Sequence, residues 1–256
     1  MRTIRLTLAY DGGDYCGWQR QPGRPTVQGA LEAALERIGA APFCTAGSSR
    51  TDAGVHALGQ VVGVWTESRL SPAALQRALN GVLPSDVAVI EAAEAPASFH
   101  PLADVAAKRY RYLLADRPVR DVFRRRYLWQ QWRGLDAAAM HCAGEALVGR
   151  HDFASFQSAG SPREDTERTI FELAVVRGFQ GEGHLVAVEV EGDGFLYHMV
   201  RVIVGTLVEV GRGARDEAWV SEVLAAGDRR RAGPTAPPEG LCLLWVRFAD
   251  DAGCGG

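Results

Sequence analysis

The sequence has 256 residues, of which 47% are hydrophobic and 23% charged, and its formal net charge is −3. This composition is typical of a folded globular protein and excludes a disordered chain. No stretch reaches the ~18 apolar residues needed to span a bilayer, and the first residues lack the apolar core of a signal peptide, so we expect a cytoplasmic protein. The five cysteines include no C-x-x-C pair, which argues against a zinc site or a disulfide framework, and Cys44 and Cys142 are expected to be buried.

The first hundred residues predict the element order β-α-β-β-α-β. Thr26 and Ser71 are placed as N-caps, each directly before apolar residues at helical spacing. The predicted strands are 4–10, 43–45, 60–66 and 86–92, and the predicted helices are 27–38 and 72–80. This order is that of the ferredoxin-like split βαβ arrangement.

The remaining chain fits a similar order more loosely, because a further helix and a Gly/Pro-rich connection at 233–240 interrupt it. The predicted strands are 107–115, 126–132, 168–177, 184–191 and 241–248, and the predicted helices are 136–148, 195–210 and 216–226. We therefore expect an α+β fold with two ferredoxin-like halves and mixed or antiparallel sheets, as domains 1–106 and 107–256 that meet at a central cleft.

Positive charge is concentrated between Lys108 and Arg133, where nine basic residues accompany two acidic ones. Phosphate binding depends on local charge, so this window favours a nucleic-acid backbone as partner. A solvated surface explains the same pattern equally well. The candidate RNA contacts are Lys108, Arg109, Arg124, Arg125 and Arg126.

A second feature is the run Arg50-Thr51-Asp52-Ala53-Gly54-Val55-His56-Ala57, which falls in a loop between two predicted strands. An arginine near a carboxylate keeps it ionised, as a nucleophile or cation stabiliser requires. An Arg–Asp pair that only fixes a loop would look the same. His56 and His198 are expected to make structural hydrogen bonds, because the histidine spacings include no metal-binding pattern.

The run R-T-D-A-G-V-H-A resembles the signature of the TruA family of tRNA pseudouridine synthases. Segments that resemble the same family occur in the same order along nearly the whole chain: Tyr10–Gly12, Gly17–Gln21, Thr26–Gln28, Phe99–His100, Lys108–Tyr112, Gly149–Phe156, Phe195–Gly205 and Ala236–Leu241. One departure is Ser49, which stands where the family usually has glycine. Because glycine permits positive φ, the loop entering Arg50 is expected to differ slightly.

The resemblance implies an isomerase that converts uridine to pseudouridine in the anticodon arm of tRNA, at positions 38, 39 and 40, as a homodimer without cofactor or metal. It implies Asp52 as the catalytic carboxylate. A carboxylate suits a reaction in which charge at ribose C1′ becomes cationic as the glycosidic bond breaks. Whether Asp52 attacks C1′, adds to the base or abstracts a ribose proton is left open.

Three further residues are assigned by the resemblance. Tyr110 would pack on the target uridine, Arg50 would help to displace that base, and Arg201 would form an ion pair with Asp52. Independently, Arg201 lies within an apolar run, where an arginine usually needs a partner, although its head group can also reach solvent. Tyr110 shares one face of its predicted strand with Lys108 and Tyr112, so a core position is the alternative.

Two other functions are considered. A non-catalytic RNA-binding protein on the same fold has no need for Arg50, Asp52, Tyr110 and Arg201 together. A hydrolase that uses Asp52 on a sugar or phosphate ester lacks the expected carboxylate-pair and metal-ligand spacings. The synthase is therefore the favoured function.

Overall fold

A computed structural model describes residues 1–160 and 165–249 of the chain. Contacts divide these residues into two compact units, 1–106 with 242–249, and 107–241. The unit that contains the N-terminus thus also holds residues 242–249, which were expected in the domain 107–256. No helix within the described ranges is long and apolar enough to cross a membrane.

The structure has ten strands and five α-helices in the described residues, and most of their bounds are close to those expected. The strands are β1 (Arg2–Tyr10), β2 (Phe43–Gly47), β3 (His56–Thr66), β4 (Val87–Ala95), β5 (Val105–Asp116), β6 (Trp129–Gln131), β7 (Gly149–Asp152), β8 (Glu167–Arg177), β9 (Leu185–Gly192) and β10 (Leu241–Phe248). The α-helices are α1 (Val27–Arg37), α2 (Pro72–Asn80), α3 (Ala137–Glu145), α4 (Met199–Gly211) and α5 (Ala218–Ala226). The α+β fold class with mixed sheets is confirmed.

The sheet of the first unit runs in the order β4-β1-β3-β10, and β2 also pairs with β3. The pairs β1–β3, β1–β4 and β2–β3 are antiparallel, whereas β10 runs parallel to β3 with Cys242 opposite His56. Both predicted caps are confirmed, since Thr26 accepts from the Gly29 amide and Ser71 from the Ala74 amide, each at 3.3 Å.

The sheet of the second unit runs in the order β5-β9-β8-β7, with antiparallel neighbours, and the short β6 runs parallel to β5. Two features differ from the sequence analysis. Strand β7 was not predicted, and α4 begins at Met199 instead of Phe195. The later start follows from His198, whose φ of 62° lies in the left-handed region and cannot continue a right-handed helix.

The predicted burial of two cysteines is wrong, because Cys44 and Cys142 are both exposed. Cys44 lies in β2, which pairs with one strand only, and Cys142 lies on the outer side of α3. Small apolar residues at a sheet edge or on an outer helix surface carry little cost, so sequence composition alone does not place them.

Candidate active site

The loop between β2 and β3 presents two charged side chains to solvent. Arg50 is exposed and Asp52 is half-buried, whereas Thr51 between them is 6% exposed. The prediction of a loop is confirmed for residues 50–55, and His56 and Ala57 begin β3. Exposed and buried residues thus alternate along this loop, and the Asp52 side chain is partly accessible to solvent.

The residues before Arg50 are held by a buried amide. Gln60 in β3 donates from Nε2 to the Ser49 carbonyl at 2.5 Å and accepts at Oε1 from the Ser48 hydroxyl at 3.1 Å. The Ser48 amide also donates to the Val61 carbonyl at 2.8 Å. All of these groups are buried, and buried polar groups that are satisfied in this way favour one conformation.

Thr51 is held on its side chain and on its backbone. Its hydroxyl lies 2.8 Å from the Tyr10 hydroxyl, and its carbonyl accepts from the Trp18 amide at 3.0 Å. The Tyr10 and Trp18 rings stack with centroids 6.4 Å apart. Thr51 therefore links the candidate catalytic residue to the segment that follows β1.

Two glycines allow the backbone around residues 12–17 to approach the loop. Gly17 has φ of +90°, and a Cβ there would lie 2.7 Å from the Thr51 carbonyl oxygen. A Cβ on Gly12 would lie 1.9 Å from the Val55 carbonyl oxygen. The Gly12 amide also donates to Nδ1 of His56 at 3.1 Å, which is the structural hydrogen bond expected of this histidine.

The loop accommodates Ser49 without the backbone geometry that requires glycine. Among the non-glycine residues that the structure describes, positive φ occurs at Gln180 and His198, so Ser49 lies outside the left-handed region. Ser49 is 7% exposed, and its carbonyl is the group that Gln60 binds. The backbone at this position is therefore compatible with serine, and the expected difference from the family's loop stays a prediction.

In the second unit, β5 places Tyr110 as expected. Lys108, Tyr110 and Tyr112 lie on one buried face, while Arg109 and Arg111 lie on the other. The Tyr110 ring meets the Phe195 ring edge to face, with centroids 5.3 Å apart. Burial raises the pKa of the neighbouring Tyr112 phenol, whose hydroxyl donates to the Pro237 carbonyl at 2.8 Å.

Arg201 lies in the first turn of α4 and is half-buried. Its Nε donates to the Ala236 carbonyl at 2.7 Å, and the Ala236 amide donates back to the Arg201 carbonyl at 3.0 Å. This reciprocal contact ties the Gly/Pro-rich connection 233–240 to α4. His198 makes the expected hydrogen bond, with its Nδ1 3.0 Å from the Ser158 hydroxyl. The Asp52–Arg201 ion pair stays a prediction.

In the basic segment between Lys108 and Arg133, Arg109 forms ion pairs within the protein itself. Arg109 contacts three glutamates of β8 and β9, Glu189 at 2.8 Å, Glu172 at 2.9 Å and Glu191 at 3.1 Å. Burial lowers the pKa of Arg109, but the hydrogen bonds to Glu172 and Glu189 outweigh this effect and raise it. A count of charges along the sequence misses these carboxylates because they lie more than sixty residues away.

Arg124 is also held within the protein. Its guanidinium lies 2.7 Å from Asp121 and 2.6 Å from Glu182, and both partners raise its pKa. Of the five candidate RNA contacts, Lys108 is buried, Arg109, Arg124 and Arg126 are half-buried, and Arg125 is exposed. Arg125 is therefore the candidate that is best placed to reach a phosphate.

Comparison with known proteins agrees with the resemblance carried by the motif. A family model described as "tRNA pseudouridine synthase" matches residues 7–102 and 143–249, which include Arg50, Asp52 and Arg201 and leave Tyr110 between the two matched ranges. The chain is 48% identical over 248 residues to "tRNA pseudouridine synthase A" of Brevibacillus brevis, with 97% of this chain and 100% of the relative covered. It is 46% identical over 250 residues to the protein of the same name from Myxococcus xanthus, with 98% and 93% covered.

The α+β fold with an aspartate on a braced loop thus occurs in a chain that matches an isomerase family over most of its length. The chain belongs to the tRNA pseudouridine synthase family.

Proposed function

We propose that this protein isomerises uridine to pseudouridine in the anticodon arm of tRNA, at positions 38, 39 and 40, with Asp52 as the catalytic carboxylate. The observation that carries the proposal is the half-buried Asp52, which lies within the range matched by the family on a loop braced by Tyr10, Trp18 and Gln60. A non-catalytic RNA-binding protein depends on positive charge to contact phosphates and does not require a carboxylate held in one place.

The reaction breaks the bond between uracil N1 and ribose C1′, turns the base, and joins C5 to C1′. The hydrogen on C5 leaves as a proton and N1 gains one, so atoms and electrons balance without a co-reactant. Asp52 would attack C1′, where positive charge develops, add to the base, or abstract a ribose proton. This chemistry needs the target nucleotide outside its stack, where a protein can reach both base and sugar.

Three other side chains have proposed roles in that complex. Tyr110 would contact the target base through its ring, and the edge-to-face contact with Phe195 keeps this ring in one orientation. Arg50, which is exposed on the same loop as Asp52, would occupy the place that the base leaves. Arg201 would pair with Asp52 and keep its carboxylate ionised.

The proposed partner is tRNA, bound by two copies of the chain acting as a homodimer in the cytoplasm. The exposed Arg125 is the proposed phosphate contact of the basic window. The dimer is tested by measuring the mass of the protein in solution against the chain mass of 27.6 kDa.

The reaction is tested by tritium release from tRNA that carries 5-tritiated uridine at a single position, 38, 39 or 40, or outside the anticodon arm. We expect release from the three arm positions with the native protein and none with Asp52→Asn, because forming the C5–C1′ bond expels the C5 hydrogen. Binding of the same tRNA to Asp52→Asn, measured in parallel, controls for loss of the complex.

Each outcome decides one part of the proposal. Binding without release by the native protein would favour the RNA-binding function. Release that persists in Asp52→Asn would keep the activity and contradict the assignment of the carboxylate. Release from a position outside the arm would contradict the proposed site preference.

A further inference from the structure

Two buried polar side chains from neighbouring strands contact the residues just before Asp52. Tyr10 ends β1 and Gln60 lies in β3, and these strands pair antiparallel. Tyr10 is 4% exposed and Gln60 is fully buried. Apolar side chains of similar size would fill the same space without the cost of desolvating polar groups. The two polar groups therefore point to a task besides packing.

Their hydrogen bonds hold the backbone on both sides of Arg50. Gln60 engages Ser48 and Ser49 through both atoms of its amide, and the Tyr10 hydroxyl lies 2.8 Å from the Thr51 hydroxyl. Side chains of the sheet thus contact Ser48, Ser49 and Thr51, the residues on both sides of Arg50.

We infer that Tyr10 and Gln60 are positioning residues for the reaction, which fix the backbone 48–51 so that the Asp52 carboxylate is held in one place beside the uridine. This inference rests on the proposed function. Misplacing a reacting group by about 1 Å can cost on the order of a hundredfold in rate, even when substrate binding is unchanged. Neither residue needs to touch the substrate for this effect.

The test uses variants that remove the hydrogen bonds and keep the side-chain size. Tyr10→Phe deletes one hydroxyl and keeps the ring that stacks on Trp18, and Gln60→Met replaces the amide by an apolar chain of similar length. We expect the single-turnover rate of tritium release to fall about ten- to hundredfold in each, while the Kd for tRNA changes by less than about twofold.

Thr66→Val is the matched control. Thr66 lies in the same strand as Gln60, is fully buried, and donates from its hydroxyl to the Ala40 carbonyl at 2.6 Å. This variant also loses a buried hydrogen bond, but far from the loop, so we expect lower stability and an unchanged single-turnover rate. If Tyr10→Phe and Gln60→Met behaved like Thr66→Val, the positioning role would be wrong.

A second set of variants removes the Tyr10–Thr51 hydrogen bond from the side of Thr51. Thr51→Val should slow the reaction as Tyr10→Phe does, the double variant should be no slower than the slower single variant, and Thr51→Ser should restore the rate because it keeps the hydroxyl. Fully additive losses would overturn the inference. Failure of the native protein to release tritium would instead reject the proposed function, so the two failures are distinguishable.

Discussion

The loop that carries Asp52 and the segment that carries Arg124 are both fixed by polar side chains, but the chemistry differs. The loop depends on neutral hydrogen bonds from Tyr10 and Gln60, which are almost fully buried. The segment depends on ion pairs of a half-buried arginine with Asp121 and Glu182. Buried hydrogen bonds between uncharged groups are not screened by salt, whereas partly exposed ion pairs are weakened by salt and by acid that protonates the carboxylate.

The two kinds of contact suit two different requirements, the fixed position of a reacting group and the general stability of the fold. A carboxylate that must occupy one place needs support that holds across conditions, and the hydrogen bonds of Tyr10 and Gln60 provide such support. A surface segment of a protein that meets RNA can depend on charges, because its exact position matters less. The following predictions test this comparison, beginning with the largest effect.

The largest effect is expected from Gly17→Ala. The new Cβ would lie 2.7 Å from the Thr51 carbonyl oxygen, so the loop must move, and we expect a loss of about 1–3 kcal/mol beyond the cost of strain at positive φ. The single-turnover rate should fall at least about tenfold because Asp52 follows Thr51. Urea unfolding and tritium release measure the two effects.

Gly23→Ala controls for the backbone strain. Gly23 also has positive φ, +70°, but a Cβ there would meet nothing within 4 Å. This variant should lose a small amount of stability and keep the native rate. Equal behaviour of the two alanine variants would mean that the close approach at Gly17 does not position the loop.

A moderate effect is expected from Arg124→Met. The Arg124 backbone amide lowers the pKa of Asp121 against the effect of burial, its guanidinium lowers it further, and the guanidinium also lowers the pKa of Glu182. Lowered carboxyl pKa values stabilise the fold above the ordinary values of 3.8 and 4.5, and this stabilisation declines as the pH falls toward the lowered values. We expect thermal unfolding about 2–4 °C lower at neutral pH.

The difference between native protein and Arg124→Met should shrink below about pH 4 and in high salt. Arg125→Met is the control, because the exposed Arg125 guanidinium donates to the Val122 carbonyl. A difference that stayed constant with pH and salt would contradict the ion-pair explanation.

The smallest effect is expected from Arg125→Met on tRNA binding. Losing one phosphate contact should weaken binding by a few-fold and reduce the slope of log K against log salt by about 1. Arg124→Met should leave that slope unchanged, since its guanidinium is held by Asp121 and Glu182. Equal slopes for native protein and Arg125→Met would contradict the assignment of Arg125 as an RNA contact.

Local signals were sufficient to predict much of the fold. Thr26 and Ser71 mark the starts of α1 and α2 because a capping side chain acts on amides within three residues. Strand β7 could not be predicted, because its residues Gly149–Asp152 carry no apolar alternation and form a strand by pairing with β8. The start of α4 depends on the left-handed φ of His198, which no residue pattern indicates.

The candidate site was predictable where one short motif carries it. Asp52 and Arg50 follow from eight consecutive residues, but the residues that brace them do not. Tyr10 lies 41 positions before Thr51, and such a contact is created by the pairing of β1 with β3. The carboxylates around Arg109 were missed for the same reason, since antiparallel strands bring them together.

The position of β10 has a consequence for synthesis of the chain. Residues 242–248 belong to the same unit as β1, and Cys242 and Leu243 pair with His56 and Ala57, directly after the Asp52 loop. Translation at about 5–20 residues per second leaves some 7–28 s between the completion of residue 106 and that of residue 248. During that interval the nascent sheet lacks the strand that pairs with His56 and Ala57, so the unit that carries the Asp52 loop is completed only after residues 107–241 have been synthesised.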